Sequence, residues 1–81
     1  MSTKQLKFDN RIIWITVDEV YQEVDGALAS RGFVGYWSLT KPSVAYGESV
    51  KNEDGRTLLF ETDVAAQQAA ERAAKAAIDP A

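Results

Sequence analysis

The sequence contains no cysteine and no histidine. Without cysteine there is no disulfide and no thiolate ligand or nucleophile, and without histidine there is no imidazole ligand and no Ser/His relay. Its five glycines, at positions 26, 32, 35, 47 and 55, fit neither the phosphate-loop spacing nor the dinucleotide-binding spacing. We therefore expect a protein that is not an enzyme and that binds no metal and no cofactor.

Positive charge and long apolar runs are also scarce. Nine basic residues stand against twelve acidic ones, which gives a net charge of −3 and an isoelectric point near 4.8. Nucleic-acid-binding domains usually have the opposite balance, so direct nucleic-acid binding is disfavoured. The longest apolar run, within residues 11–16, is far shorter than the ~18 residues of a membrane span, and the first residues have no signal-peptide core. These features predict a soluble, cytoplasmic protein without a membrane partner.

A chain of 81 residues suits one domain, because domains usually have about 100–200 residues. We expect this domain to span residues 1–81, with 79–81 as a tail and with 1–10 as an edge strand or a flexible segment. The order Lys4 to Val17 fits two short strands joined by a tight turn at Asp9 and Asn10. Pairing across that turn places Leu6 opposite Ile13.

The next segment has a helical spacing of apolar residues. A helix is predicted over residues 17–31, because apolar residues recur there at positions i, i+3, i+4 and i+7, which form one face of a helix. Thr16 and Glu19 form a capping-box pattern and Gly32 supplies the stop. The residues that follow this spacing are Val17, Val20, Tyr21, Val24, Ala27, Leu28 and Arg31.

Three strands are predicted after this helix, over residues 33–40, 44–51 and 56–62. The turns at 41–44 and 52–55 contain proline or Asn, Asp and Gly, and they set a register. That register pairs Trp37 with Glu48, Leu39 with Tyr46, Glu48 with Phe60, and Val50 with Leu58. It gathers large residues on one face: Phe33, Trp37, Leu39, Val44, Tyr46, Val50, Leu58 and Phe60. The other face carries Val34, Tyr36, Ser38, Ala45, Gly47, Ser49, Leu59 and Glu61.

The last predicted element is a helix over Asp63–Ile78, since nine of the chain's twelve alanines lie after residue 64 and Thr62 or Asp63 can cap it. One arc of this helix is all alanine, at positions 66, 69, 70, 73 and 77. Small residues allow close approach to the large-residue face. The predicted fold is thus α+β, a two-layer domain with a mainly antiparallel sheet and two helices on one face.

Two segments resemble nucleic-acid-binding families. Residues 31–37, Arg-Gly-Phe-Val-Gly-Tyr-Trp, resemble the first ribonucleoprotein motif of RNA-recognition domains, although Gly35 stands where that motif has an aromatic residue. The alternative is a core strand to which Phe33 and Trp37 contribute. The order helix, three strands, helix resembles the double-stranded-RNA-binding topology, which implies RNA contact at the start of the last helix. Asp63 occupies that turn and would repel phosphate.

Glu48 is the carboxylate that the predicted register places on the large-residue face, between Trp37 and Phe60. Burial there would raise its pKa, as in a general acid or a recognition residue. The alternatives are a bulge that turns Glu48 outward, or a position at the rim of the helix layer.

These features predict a non-catalytic protein-binding module, an inhibitor or adaptor that covers a site on another protein, which could belong to a nucleic-acid-handling complex. Phage anti-defence inhibitors have this size and acidity. The alternatives are a nucleic-acid-binding module with double-stranded-RNA-binding-like topology and a homo-oligomer. The candidate partner-binding residues lie on the sheet face away from the helices and on the acidic part of the first helix: Tyr36, Leu59, Ser49, Glu61, Asp18, Glu19 and Glu23.

Overall fold

The computed structural model describes residues 2–41 and 47–79 of the chain. Within these ranges an antiparallel sheet of four strands, in the order β1-β2-β3-β4, precedes one C-terminal helix. The strands are β1 (Ser2–Phe8), β2 (Arg11–Val24), β3 (Ala27–Ser38) and β4 (Glu48–Ser49), and the helix is α1 (Asp63–Ile78). The predicted α+β class is confirmed at this level, with one helix in the described ranges where two were predicted.

The first hairpin matches its prediction. Asp9 and Asn10 form the two-residue turn with φ values of 53° and 62°, the left-handed conformation that these residues tolerate. Leu6 lies opposite Ile13, as predicted. β1 is the first strand in the sheet order and is therefore an edge strand among the described residues. Leu6 also packs against the buried cluster that contains Ile13 and Ile15.

The helix predicted over residues 17–31 is wrong. This segment is the second half of β2, a turn, and the first half of β3, which pair from Val24 and Ala27 back along the strands. The turn residues Asp25 and Gly26 have φ values of 52° and 81°, which suit a two-residue hairpin turn of the type that matches strand twist. The predicted topology of the double-stranded-RNA-binding kind is therefore wrong as well, because its first helix is replaced by strands.

The long hairpin contains one irregularity. Val20 lies opposite Gly32 and Tyr21 lies opposite Ser30, so Arg31 is an extra residue on β3. Gly32 has a φ of 127°, a backbone conformation that would be strained for a residue with a side chain. An extra residue of this kind bends the ribbon and increases its twist, so the hairpin beyond the bulge continues in a new direction.

In the described residues beyond β3, 47–62, the chain forms short pairings only. The predicted pair Trp37 and Glu48 is confirmed, whereas the prediction for Tyr46 lies outside the described residues. After β4 the chain turns at residues 52–55, where the Asn52 side-chain oxygen accepts bonds from the backbone N–H groups of Asp54 and Arg56.

The chain then returns to β3, where Phe33 and Phe60 exchange two backbone hydrogen bonds of 2.8 Å. Phe60 therefore pairs with β3, and the predicted pairing with Glu48 is wrong. The Leu58 N–H donates to the Val50 carbonyl, in the predicted register. The predicted strand over residues 56–62 is reduced to isolated pairings at Thr57 and Phe60.

Helix α1 has the predicted bounds and covers one face of the sheet. The Thr62 side chain caps it by accepting a bond from the Ala65 N–H at 3.1 Å. Its buried residues are alanines 66, 69, 70 and 74, so the predicted stripe is correct at three positions, with Ala73 half-buried and Ala77 exposed. The stripe lies close over Gly35, and the cluster around Ile13 and Ile15 receives Trp37. In the described residues we find no helix with both the length and the hydropathy of a membrane span.

Candidate functional site

The hairpin arm, residues 18–31, is the part of the long hairpin that extends past the pairing of β1 with β2. Over the described residues, that pairing reaches Ser2 and Val17. A 14-residue strand is about 46 Å long, whereas a 16-residue helix spans about 24 Å. The longest dimension of the molecule is 48 Å, so the helix covers only about half of this length. The arm is a two-stranded ribbon outside the main helix–sheet layer.

Large apolar side chains are exposed on the arm. Tyr21, Val24 and Leu28 have 55%, 46% and 75% of their surface exposed, and all residues from 21 to 31 are exposed. Strand alternation places Tyr21 on one face with Glu19 and Glu23, with Leu28 directly opposite Glu23. Val24 lies on the other face. The arm thus presents apolar and acidic side chains together, without burying the apolar ones.

Tyr21 and Glu19 are joined by a short hydrogen bond. The Tyr21 hydroxyl donates to Glu19 Oε1 at 2.6 Å. This bond, with a further one from the Ser30 side chain, lowers the pKa of Glu19 from its ordinary value of 4.5. The same bond raises the pKa of Tyr21 above 10.0, because the neighbouring carboxylate holds the hydroxyl proton. Glu19 therefore remains negatively charged at lower pH than an isolated glutamate.

We expect Tyr21→Phe to raise the pKa of Glu19 towards 4.5, because the largest cause of its lowering is removed. A carboxyl group with a lowered folded-state pKa contributes stability above its unfolded pKa, and that contribution disappears as the pH falls through the folded pKa. Carbon-13 NMR titration of the Glu19 carboxyl group measures the shift, with Tyr36→Phe as the control. Equal midpoints in Tyr21→Phe and the unmodified protein would contradict the bond.

The net negative charge of the molecule lies in the hairpin arm. The arm carries four acidic residues and one basic residue, Arg31, which gives it a net charge of −3. Removing these five from the chain's nine basic and twelve acidic residues leaves eight of each sign. The rest of the protein is therefore neutral overall, and the arm carries the whole net charge. The acidic residues of the arm are Asp18, Glu19, Glu23 and Asp25.

Tyr36 and Ser49, candidate residues on the other sheet face, are less exposed than residues 21–31 of the arm. Tyr36 is opposite Thr16, on the face away from α1 as predicted, and it is half-buried. This face is not fully open, because Thr16 and Val34 are only 0% and 3% exposed. Ser49 is paired with Tyr36 and its hydroxyl lies 3.0 Å from that of Thr57.

Leu59 and Glu61 are exposed close to the start of α1. They are the residues directly before and after Phe60, whose backbone bonds to Phe33 hold this segment against β3. They do not belong to the hairpin arm. The predicted partner-binding residues therefore divide into a set near β4 and α1 and a second set, Asp18, Glu19 and Glu23, on the arm.

The burial predicted for Glu48 is wrong. Its pairing with Trp37 is as predicted, but its side chain is 68% exposed and its carboxylate lies 3.6 Å from Lys51 Nζ. Glu48 belongs to the outermost strand, and α1 packs over the middle of the sheet. The alternative of a position at the rim of the helix layer describes it correctly.

The exposed apolar residues of the arm were not predicted as a site. Tyr21, Val24 and Leu28 were assigned to the buried face of a helix, because their spacing is helical. The signal that could have located them is Asp25-Gly26, since Asp-Gly flanked by apolar residues is a strong indication of a hairpin. Comparisons with protein-family models, with curated proteins and with solved structures find no match for this chain.

Proposed function

We propose that this protein is a non-catalytic protein-binding module, an inhibitor or adaptor, that contacts its partner through the hairpin arm. The observation that carries the proposal is the exposure of Tyr21, Val24 and Leu28 on a ribbon outside the helix–sheet layer. Burial of these side chains by a partner would release a hydrophobic free energy that the isolated chain does not gain. Leu28 alone would contribute up to about 2 kcal/mol.

The shape of the arm supports the same proposal. An isolated two-stranded ribbon is only marginally stable in water, so a long exposed one is expected to have a function beyond stabilising the fold. Tyrosine is also frequent among residues that dominate binding energy at interfaces, because its ring is large and loses little conformational freedom. Tyr21 combines these properties with a hydroxyl that is held by Glu19.

The test is affinity capture of the full-length protein from the cells that naturally express it, followed by mass spectrometry. We expect Leu28→Ser to reduce recovery of the partner by about tenfold or more, as for an interface residue whose truncation costs over 1 kcal/mol. Val64→Ser is the matched control, because Val64 is also an exposed apolar residue but lies in the first turn of α1. Recovery with this control should equal that of the unmodified protein.

Other outcomes would assign the function elsewhere. Loss of the partner in Tyr36→Ala but not in Leu28→Ser would move the interface to the opposite sheet face. Recovery of nuclease-sensitive nucleic acid would favour the nucleic-acid-binding alternative. Self-association alone in sedimentation would favour a homo-oligomer.

A further inference from the structure

The outer edge of β2 along the arm has no strand beside it among the described residues. In the part of the chain that the structure describes, β1 covers β2 as far as Val17, and residues 18–24 pair with β3 alone. An uncovered strand edge presents backbone donors and acceptors, and it can pair with an extended segment of another chain. Residues 18–24 therefore offer an edge to which a partner can add a strand.

The orientation of the backbone groups can be worked out from the neighbouring bonds. The N–H and carbonyl of Phe33 both bond to Phe60, so they point away from β2. Opposite residues in antiparallel strands alternate between bonded and non-bonded pairs, and Glu19 lies opposite Phe33. The N–H and carbonyl of Glu19 therefore point away from β3, towards the uncovered edge. Alternation along β2 gives Tyr21 and Glu23 the same orientation.

The two faces of this edge differ in side-chain chemistry. One face of β2 along the arm carries Glu19, Tyr21 and Glu23, whereas the other face carries Asp18, Val20, Gln22 and Val24. Opposite charges directly across two strands are favourable, and like charges are unfavourable. A strand with cationic side chains on the first face and apolar ones on the second would complement the two glutamates of the first face and the two valines of the second.

The charge pattern also disfavours a second copy of this chain as the partner, and it favours the edge of β2 over that of β3. A second copy of β2 would place acidic residues beside acidic residues, which disfavours self-pairing through this edge. The outer edge of β3 in the arm carries Arg31 and no acidic residue, and the bulge at Arg31 and Gly32 interrupts it. The regular and acidic edge is that of β2.

We propose that residues 18–24 of β2 accept an extended segment of a partner protein as an added β-strand, in which cationic and apolar residues alternate. This inference rests on the proposed function and names the chemistry of the partner segment. The cationic side chains would lie beside Glu19 and Glu23, and one would lie beside the ring of Tyr21. The apolar side chains would lie beside Val20 and Val24.

The experiment uses the full chain and two synthetic peptides of eight residues, one alternating lysine with valine and one alternating glutamate with valine. We expect the lysine–valine peptide to shift the backbone amide NMR signals of residues 18–24 most strongly, and to bind several-fold more weakly when salt is raised from about 50 to 300 mM. The glutamate–valine peptide should bind at least tenfold more weakly to this edge. Equal binding of the two peptides, or shifts centred on β1 or β3, would overturn the inference.

Variants separate the charge of the edge from its backbone. Replacing both Glu19 and Glu23 by glutamine should weaken the lysine–valine peptide about tenfold, whereas Glu53→Gln, an exposed site in the turn at 52–55, should have no effect. Glu23→Pro removes an outward N–H that β3 does not use, and it should weaken the peptide more than Glu23→Gln does. Equal effects of the two Glu23 variants would overturn strand addition.

The natural partner distinguishes this inference from the proposed function. A captured partner that depends on Leu28 but is insensitive to Glu23→Pro and to the double glutamine variant would keep the protein-binding function and overturn strand addition. Peptide binding at β2 without any partner that depends on the arm would support the edge preference and overturn the proposed function.

Discussion

Gly35→Ala is expected to lower the free energy of unfolding by about 3 kcal/mol, the upper part of the range for forcing a methyl group into a packed interface. A Cβ atom at Gly35 would clash with the carbonyl oxygen of Ala66 and would lie 3.2 Å from the Cβ atom of Ala70. The first contact is with backbone, so no side-chain rotation can relieve it. The helix would have to move away from β3, and its neighbouring contacts with the sheet would loosen.

Urea denaturation followed by tryptophan fluorescence measures this effect, because Trp37 packs against the same cluster. Gly55→Ala is the comparison, since a Cβ at Gly55 would have no neighbour within 4 Å. Its φ of 81° leaves only the backbone cost of a side chain in the left-handed region, about 1 kcal/mol. If Gly35→Ala costs no more than Gly55→Ala, α1 does not lie against β3 at this point.

The features that could be predicted from the sequence depend on local signals that agree with the final packing. Asp9-Asn10 tolerates a left-handed turn, and this fixes Leu6 opposite Ile13. Asp63–Ile78 combines an alanine-rich composition with a capping threonine, so its bounds follow from propensity and capping. In both cases the local preference and the buried face point to the same structure.

The error at residues 17–31 shows where such reasoning fails. The apolar residues there fit a helical period, but they also fit strands, and the period alone does not decide between the two. Valine and tyrosine favour strands, and Asp25-Gly26 supplies a hairpin turn, so two local signals outweighed one. The helical interpretation also required Tyr21 and Leu28 to be buried, whereas both are exposed.

The candidate site could be predicted only in part for the same reason. Glu19 and Glu23 were identified from their charge, which does not depend on secondary structure. Tyr21 and Leu28 were missed, because exposure depends on whether a helix or a ribbon carries them. The uncovered edge of β2 could not be predicted at all. It depends on how far β2 extends past β1, and the helical interpretation of residues 17–31 shortens β2.

The last prediction compares two adjacent isoleucines in β2. Ile13 is 0% exposed under α1, whereas Ile12 lies on the other face and is 46% exposed. Removing a buried isoleucine side chain to alanine costs about 2–5 kcal/mol, because the transfer free energy is lost and a cavity remains. A chain of 81 residues has a total stability of about 4–12 kcal/mol, so Ile13→Ala should remove a large part of it.

Ile12→Ala should cost less than about 1 kcal/mol, because its side chain leaves no enclosed cavity. Thermal or urea unfolding of the two variants measures the difference, and the identical substitution at neighbouring positions cancels any change in intrinsic strand preference. Similar losses in the two variants would mean that both faces of β2 are equally buried. The face that carries Tyr36 would then be an interior surface, and the hairpin arm would be the part of the sheet left for a partner.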